Sequence, residues 1–249
     1  MHEDNALPGS AWPAADLAPQ PLAAARSQGL ALFDLDHTLI AFDSGGAFTR
    51  WLSERGHLGP DFEPTYLAYC HDYAAGRLDI RAMHRYTVGT LARYGDAQLQ
   101  AWLAEFEQAM APRITPAALA LVQSHRERGD LCVLVTATTR FIAEPFARLL
   151  GITHVLATEA ERDARGRLTG EIAGEPCFRE HKCSHVERWL AVRGRTLASF
   201  AASSFYSDSL HDLPLLQAVR CPVVVDGDSA LLAHAQVQGW ATLSLLKTA

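Results

Sequence analysis

The sequence predicts an α/β protein with a three-layer core, a mostly parallel sheet and an inserted bundle of helices. Three observations support this fold class. A short apolar run at 30–33 ends in acidic residues, a helical pattern covers 44–111, and short apolar runs alternate with helical patterns after Pro112. Such alternation is typical of a parallel sheet that carries helices on both faces.

Composition narrows the classes of partner. The chain has 249 residues, of which 49% are hydrophobic, so a substantial core is available. The net charge of −6 and the lack of a basic stripe argue against nucleic acid. No apolar run approaches the length of a membrane span. The five cysteines, an odd number, do not suggest a disulfide framework, so a cytoplasmic location is expected.

The domain boundaries follow from changes in pattern. Residues 1–28 are rich in Ala and Pro, and they lack the basic and apolar regions of a signal peptide. We expect an irregular leader there. The α/β core is expected to comprise 29–43 and 112–249, beginning with a buried strand at 30–36. The helical segment at 44–111 interrupts this core.

The inserted segment carries aromatic and apolar side chains at spacings of three and four residues. Glycines at 56, 59, 76 and 95 punctuate the pattern, which fits about four helices. We expect the aromatic side chains to pack between these helices. Because the segment directly follows the first strand, it should lie over the carboxyl end of that strand.

The second part of the core alternates between strands and helices, with one polar hairpin. Gly166 and Gly170 mark the hairpin. The predicted strands are 131–136, 153–158, 204–206, 222–226 and 240–246, the hairpin is 159–173, and the predicted helices are 116–128, 141–150, 180–192, 212–219 and 229–236.

Asp34, Asp36 and Thr38 follow the first apolar run at intervals of two. Two carboxylates at the end of a buried strand are costly unless a cation or hydrogen bonds compensate them. Ligands of open α/β sheets bind at the carboxyl ends of the strands. The pattern therefore favours a divalent metal with an anionic substrate, although turns and helix N-caps also use Asp in this way.

Further polar residues fall where predicted strands end or helices begin. The Thr136 hydroxyl and the Ala137 N–H could donate to an anion, although a threonine in this place also serves as a helix N-cap. Lys182, Asp208 and Asp212 follow in the chain. Most lysines are solvated surface charges, and Asp212 could cap the next helix. Only the joint order of these residues is distinctive.

The combined motifs resemble those of the haloacid dehalogenase-like phosphohydrolase superfamily over residues 30–246. The branch with a helical cap after the first strand, which includes phosphoserine phosphatases, is the most similar. The resemblance implies a Rossmann-like core with a four-helix cap at 44–111. It also implies Mg²⁺-dependent hydrolysis of a small phosphomonoester through an aspartyl-phosphate.

The resemblance implies a role for each acidic residue. Asp34 would attack phosphorus. Asp36 would act as general acid for the leaving alkoxide and then as general base for water, and Thr38 would orient Asp36. Asp34, the backbone carbonyl of Asp36 and Asp208 would ligate Mg²⁺. Asp212 would orient a water molecule or Lys182.

The phosphoryl group would be held by neutral and positive donors. Thr136 and Lys182 would bind its oxygens, with the Ala137 N–H as a further donor. Lys182 would also offset the repulsion between carboxylates. Two other functions stay open: a phosphotransferase that uses the same intermediate, and a non-enzymatic phosphate-binding regulatory module. The presence of both Asp34 and Asp36 argues against the regulatory module.

The resemblance points to an amine-bearing substrate. Asp43 lies nine residues after Asp34, where phosphoserine phosphatases carry a Glu that holds the substrate's ammonium, although Asp43 also fits as a helix N-cap. The Arg that clamps the serine carboxylate in those enzymes aligns with Thr87, with Arg85 two residues earlier. Their Asn in the last motif corresponds to His211. We therefore expect Asp43, Arg85 and His211 to line the substrate site, without a secure carboxylate clamp.

L-Histidinol phosphate is the leading candidate, because it carries an amine and no carboxylate. The stretch 135–141 is also similar to that of bacterial members described as histidinol-phosphatase-like. Phosphoserine is the second candidate and phosphoethanolamine the third. A separate hypothesis, structural zinc, rests on the crowding of Cys177, His181, Cys183 and His185, but their spacing matches no tetrahedral pattern. His37 is expected to point away from its neighbours on the strand.

Overall fold

The computed structural model of the protein describes residues 28–245. Apart from Gln28, the predicted leader lies outside the described residues. The strands are β1 (Leu30–Phe33), β2 (Leu131–Thr139), β3 (His154–Thr158), β4 (Ala160–Arg162), β5 (Leu168–Ile172), β6 (Ser203–Ser207), β7 (Cys221–Val225) and β8 (Ala241–Leu243). The helices are α1 (Ser44–Glu54), α2 (Phe62–Ala74), α3 (Ile80–Leu91), α4 (Asp96–Met110), α5 (Pro116–Glu127), α6 (Arg140–Leu150), α7 (His181–Ala191), α8 (Leu213–Ala218) and α9 (Ser229–Gln238).

Six of these strands form one sheet in the order β3-β2-β1-β6-β7-β8. Every neighbouring pair in the sheet is parallel. The other two strands, β4 and β5, form an antiparallel hairpin. The predicted α/β class is confirmed. Because β1 lies between β2 and β6, the carboxyl ends of these three strands are adjacent.

Successive residues of β1 pack into opposite hydrophobic clusters. Ala31 and Phe33 belong to a cluster that includes side chains of α1, α4, α5 and α6. Leu30 and Leu32 belong to a cluster that includes side chains of α7, α8 and α9. A strand directs successive side chains to opposite faces, and all four residues are buried. The sheet is therefore the middle of three layers.

Helices α1 to α4 lie between β1 and β2 in the chain, and some of their side chains join the core. Phe106 of α4 contacts Phe146 of α6, with ring centroids 5.7 Å apart. Asp43 caps α1 and Asp79 caps α3, each by accepting backbone N–H groups of the first turn, as Asp does at helix N-termini. Within residues 28–245, none of the helices combines the length and apolar character that a bilayer crossing requires.

The first strand is shorter than predicted. It ends at Phe33, and the chain then turns, with the Leu39 N–H donating to the Leu35 carbonyl. His37 adopts φ of +57° inside this turn. The prediction that His37 alternates with its neighbours along a strand is therefore wrong, and His37 lies at the edge of the cavity described below.

The hairpin is less polar than predicted. Leu168 and Ile172 of β5 are buried. Gly170 between them lies so close to Gly89 of α3 that a Cβ on Gly170 would stand 2.8 Å from the Gly89 Cα. One face of β5 therefore packs against α3, because glycines on both elements allow the two backbones to approach.

Candidate active site

The carboxyl ends of β1, β2 and β6 bring the predicted residues to one edge of the sheet. Asp34 follows β1, Thr136 lies in β2, Asp208 follows β6, and α7 adds Lys182. All four border a cavity of about 680 Å³. Ligands of open α/β sheets bind at this edge, so the cavity is the candidate active site.

Asp34 and Asp212 share one buried ammonium group. The Lys182 Nζ donates to Asp34 Oδ1 at 2.8 Å and to Asp212 Oδ2 at 2.7 Å. Burial raises the pKa of Asp34 to about 6, although the charge of Lys182 opposes the shift. Burial by itself would lower the pKa of Lys182, but Asp212 and Asp34 together raise it well above its usual value. Lys182 is therefore a cation held in place by two carboxylates.

Ser207 is a contact that sequence reasoning missed. Its Oγ donates to Asp212 Oδ2 at 2.7 Å, the same oxygen that Lys182 contacts. A serine at the end of a strand carries no signal that distinguishes it from an ordinary polar residue. The contact with Asp212 forms because the chain turns back after β6 and brings this residue, five positions later, next to Ser207.

Thr38 bridges Asp34 and Asp208. Its Oγ1 is 3.0 Å from Asp208 Oδ1 and 3.4 Å from Asp34 Oδ2, and it accepts the Asp208 N–H at 3.1 Å. The expectation that Thr38 orients Asp36 is wrong, because the turn after Phe33 directs Thr38 toward the end of β6. Burial, followed by the charge of Asp34, raises the pKa of Asp208 to about 7.

Asp36 is held by two groups that were not predicted. Its Oδ1 accepts the Ser44 N–H at 2.6 Å, and its Oδ2 accepts the Thr138 hydroxyl at 2.7 Å. Burial, with a further contribution from the charge of Asp43, raises the pKa of Asp36 to about 8. Thr138 reaches Asp36 because β2 runs three residues beyond its predicted end. In the sequence, Thr138 is distinguished only by its place two residues after Thr136.

The donors predicted for an anion lie together on the cavity wall. Thr136 and Ala137 both border the cavity. The Thr136 Oγ1 accepts the Thr138 N–H at 3.1 Å. An oxygen that accepts one hydrogen bond can still donate its own proton, so the Thr136 hydroxyl is oriented and able to donate to a ligand.

Asp43 caps a helix and also lies at the cavity. It is the N-cap of α1, with Oδ1 accepting the Gly46 N–H at 2.5 Å, and it borders the cavity. The buried Tyr66 donates its hydroxyl to the same oxygen at 2.5 Å. A Cβ on Gly45 would meet this hydroxyl, so a larger residue at 45 would require Tyr66 to shift.

Arg85 does not contribute to the cavity, so its predicted contact with the substrate is wrong. It forms an exposed ion pair with Glu171 of the hairpin, at 3.4 Å. Met83 and Thr87 of the same helix do line the cavity. Arg85 lies about 200° around the helix from both of these residues, which directs its side chain toward β5.

His211 lies at the cavity as predicted. Its ring packs edge-on against Tyr73 of α2, with centroids 5.0 Å apart. Its Nε2 is 3.3 Å from the Tyr73 carbonyl oxygen. The contact joins the loop after β6 to the inserted helices.

The Cys and His residues considered for zinc have other partners. The buried Cys177 Sγ contacts the Leu156 carbonyl oxygen at 3.7 Å, and His185 Nε2 contacts the Glu175 carbonyl oxygen at 2.9 Å. In the part of the chain that the structure describes, no three or more His, Cys, Asp or Glu side chains are grouped for a metal. A cation at Asp34 and Asp208 would therefore need backbone or non-protein oxygens as further ligands.

Comparison with known proteins identifies the family of this chain. The family model for haloacid dehalogenase-like hydrolases matches residues 31–217. Histidinol-phosphatase of Neisseria meningitidis is 39% identical over 219 residues, which cover 87% of this chain and 99% of that protein. A phosphoserine phosphatase of Mycobacterium tuberculosis is 32% identical over 242 residues, which cover 89% of this chain and 75% of that protein.

Solved structures show the same fold. A protein of unknown function from Bordetella pertussis is 39% identical, with a TM-score of 0.82, and the match covers 88% of this chain and all of that one. A substrate-bound phosphoserine phosphatase is 17% identical, with a TM-score of 0.62 over 89% of this chain and 94% of that one, so it bears on the fold alone. The predicted family is confirmed: the chain belongs to the haloacid dehalogenase-like hydrolases, among the phosphatases of that family.

Proposed function

We propose that the protein hydrolyses small phosphomonoesters with Mg²⁺ through an aspartyl-phosphate on Asp34. The observation that carries this proposal is the contrast between two carboxyl groups that follow one strand. Asp34 contacts the ammonium of Lys182, whereas Asp36 is held by neutral donors and has a pKa of about 8. A carboxyl group that keeps its proton near neutral pH can act as general acid beside a charged nucleophile.

The two carboxyl groups then divide the reaction between them. The Asp34 carboxylate forms a bond to phosphorus while the bond to the alkoxide oxygen breaks, and Asp36 gives its proton to that oxygen. In the second step the Asp36 carboxylate takes a proton from water as the water attacks phosphorus. This releases inorganic phosphate, regenerates the Asp34 carboxylate and leaves Asp36 protonated for the next cycle.

Asp34 and Asp208 fit a divalent cation. One hydroxyl, that of Thr38, lies within 3.4 Å of both carboxylates. The charge of Asp34 helps to raise the pKa of Asp208, and a cation between them would relieve this repulsion. Mg²⁺ prefers oxygen ligands, so these two carboxylates and the Asp36 carbonyl would hold it. When bound, Mg²⁺ would offset the negative charge of the phosphoryl oxygens.

The remaining site residues would bind the phosphoryl group or position the residues that bind it. The Thr136 hydroxyl, the Ala137 N–H and the Lys182 ammonium would hold the phosphoryl oxygens. Asp212 would position Lys182, with which it shares a contact of 2.7 Å. We propose that 44–111 acts as a cap over a core of 29–43 and 112–249, because α1, α2 and α3 form the wall of the cavity away from the strand ends.

The cavity wall supports an amine-bearing substrate. Lys182 is the only lysine or arginine among the described residues that border the cavity, and two carboxylates already contact it. A substrate carboxylate would therefore lack a cationic partner, whereas an ammonium could approach Asp43. Aromatic faces also attract ammonium groups, and several rings line the wall: Phe48, Phe62, Tyr66, Tyr69, Tyr73 and Phe178.

L-Histidinol phosphate fits these requirements best, and phosphoserine is the second candidate. The volume of about 680 Å³ lies well within the range of small-molecule sites, about 300–1,000 Å³, and leaves room for a ring. The similarity to a histidinol-phosphatase over nearly the full length of that protein supports the same choice.

The test is the release of inorganic phosphate from a panel of phosphomonoesters, with Mg²⁺ and with a chelator. L-Histidinol phosphate should be hydrolysed most efficiently, and Asp34→Asn should abolish turnover of every ester. Asp72→Asn, at an exposed ion pair on α2, is the matched control and should keep full activity. Product analysis with added alcohols separates hydrolysis from phosphotransfer. Full activity of Asp34→Asn would refute the proposal.

A further inference from the structure

His84 is a buried histidine at the cavity wall with one unused ring nitrogen. Its surface is 4% exposed, and it borders the cavity from α3. The Nδ1 is 2.8 Å from the carbonyl oxygen of Gly170 in β5. The Nε2 is enclosed and has no hydrogen-bond partner in the described part of the chain.

The hairpin determines which nitrogen of His84 carries the proton. A carbonyl oxygen can only accept, so Nδ1 donates to Gly170, and in the neutral ring Nε2 is an acceptor. Gly170 has φ of +91° and a backbone contact with Gly89 that no Cβ could allow. The position of this carbonyl is therefore imposed by the packing of β5 on α3.

The ring is neutral near pH 7. Burial lowers the pKa of His84; the hydrogen bond to Gly170 and the charge of Glu171 oppose this shift, and the charge of Arg81 adds to it. A buried acceptor without a donor is unfavourable, and native proteins leave few such groups. An acceptor of this kind at the wall of a cavity is available to a donor that enters the cavity.

We infer that Nε2 of His84 accepts an N–H from the alcohol part of the substrate. The inference rests on the proposed phosphatase function and deepens it, since it selects phosphomonoesters that carry a nitrogen heterocycle or a second amine. Asp43 supplies a second acceptor at the same cavity. Its Oδ1 accepts from Gly46 and Tyr66, whereas its Oδ2 has no partner among residues 28–245 and can accept from a ligand. An ammonium and a ring N–H would satisfy the two sites separately.

Because Nε2 is enclosed, a ligand would reach it only if side chains of the cavity wall shifted. Met83, the preceding residue of α3, also lines the cavity. Its unbranched thioether is among the most adaptable apolar side chains, so the wall can yield to a ring without displacement of the helix.

The test removes Nε2 while keeping the contact with the hairpin. In His84→Asn the amide nitrogen can replace Nδ1 as donor to Gly170, but no acceptor remains in the place of Nε2. His84→Gln supplies an acceptor near the position of Nε2. His71→Asn, at an exposed histidine on α2, is the matched control. Thermal unfolding of each variant checks that it folds.

Two substrates and two inhibitors separate recognition from chemistry. For L-histidinol phosphate, kcat/KM of His84→Asn should fall about tenfold through KM, the loss expected for one hydrogen bond. Competitive inhibition by L-histidinol should weaken by the same factor. Hydrolysis of p-nitrophenyl phosphate and inhibition by inorganic phosphate should stay within about twofold. His84→Gln should recover most of the loss, and His71→Asn should match the wild type.

Equal losses on both substrates, or no loss on either, would overturn the role of His84. The role also fails if L-histidinol does not inhibit the wild-type protein while p-nitrophenyl phosphate is hydrolysed with Mg²⁺. In that case the proposed phosphatase function stands. Absence of all Mg²⁺-dependent hydrolysis overturns the proposed function itself, so the two failures are distinguishable.

Discussion

Replacing Lys182 by Met should destabilise the protein strongly and in a pH-dependent manner. The ammonium lies 2.8 Å from Asp34 and 2.7 Å from Asp212, and the three side chains are 4%, 9% and 4% exposed. Met fills a similar volume without the charge. Removing one partner of a buried ion pair costs about 3–5 kcal/mol, because the remaining charge is uncompensated. We therefore expect the free energy of unfolding to fall by about 4 kcal/mol at a pH near 8.

The loss should become smaller in acid. Burial already raises the pKa of Asp34 from 3.8 to about 6 with Lys182 present, and loss of the ammonium would raise it further. A group whose pKa is higher in the folded state than in the unfolded state stabilises the protein below its unfolded-state pKa. This stabilisation is lost as the pH rises through the folded-state pKa. At a pH of about 5, Asp34 of the variant is protonated and needs no cation.

Urea unfolding in the presence of a chelator, at both pH values, measures this difference. Arg188→Met, at an exposed position of the same helix, is the control and should change the free energy of unfolding by no more than about 0.5 kcal/mol. Adding Asp212→Asn to Lys182→Met should restore part of the stability. An equal loss at both pH values, or a loss no larger than that of the control, would refute the reasoning.

Three further predictions concern the acidic groups of the site. Thr138→Val should lower kcat by about tenfold, since it removes a hydrogen bond that holds Asp36 in position. It should also move the alkaline limb of the pH–rate profile upward, because that bond lowers the pKa of Asp36; an unmoved limb would contradict the contact. Mg²⁺ should raise the melting temperature more at high than at low pH. The reason is that the pKa values of Asp34 and Asp208 are about 6 and 7, and their charged forms are disfavoured without a cation. A larger gain in acid would argue against metal binding at these two carboxylates. Asp43→Asn should raise KM for amine phosphates about tenfold and leave KM for p-nitrophenyl phosphate unchanged, and an unchanged KM for both would exclude an ammonium contact.

The sequence was sufficient for the elements and for the order of the motifs. An apolar run followed by acidic residues predicted a central strand, and the later alternation predicted a parallel sheet. Parallel strands end at the same edge, so Asp34, Thr136 and Asp208 could be expected to converge. The structure places all three at one cavity.

Side-chain contacts between different elements could not be predicted from the sequence in the same way. Thr38 was expected at Asp36 and lies instead between Asp34 and Asp208, because the chain turns where a continuous strand was assumed. Arg85 was expected at the substrate, but the phase of α3 turns it toward Glu171. The first error came from a strand that was predicted too long, and the second from the direction of one side chain on a helix.

The sequence by itself determined the fold class, the family and the chemical types present at the strand ends, because periodicity and motif order are properties of the chain. Only the tertiary structure decided which oxygens share Lys182, that Thr138 holds Asp36, and that the hairpin leaves His84 Nε2 as an acceptor. Hydrogen bonds depend on distances of a few ångströms between elements far apart in the chain. Those distances are set by packing, which no local pattern records.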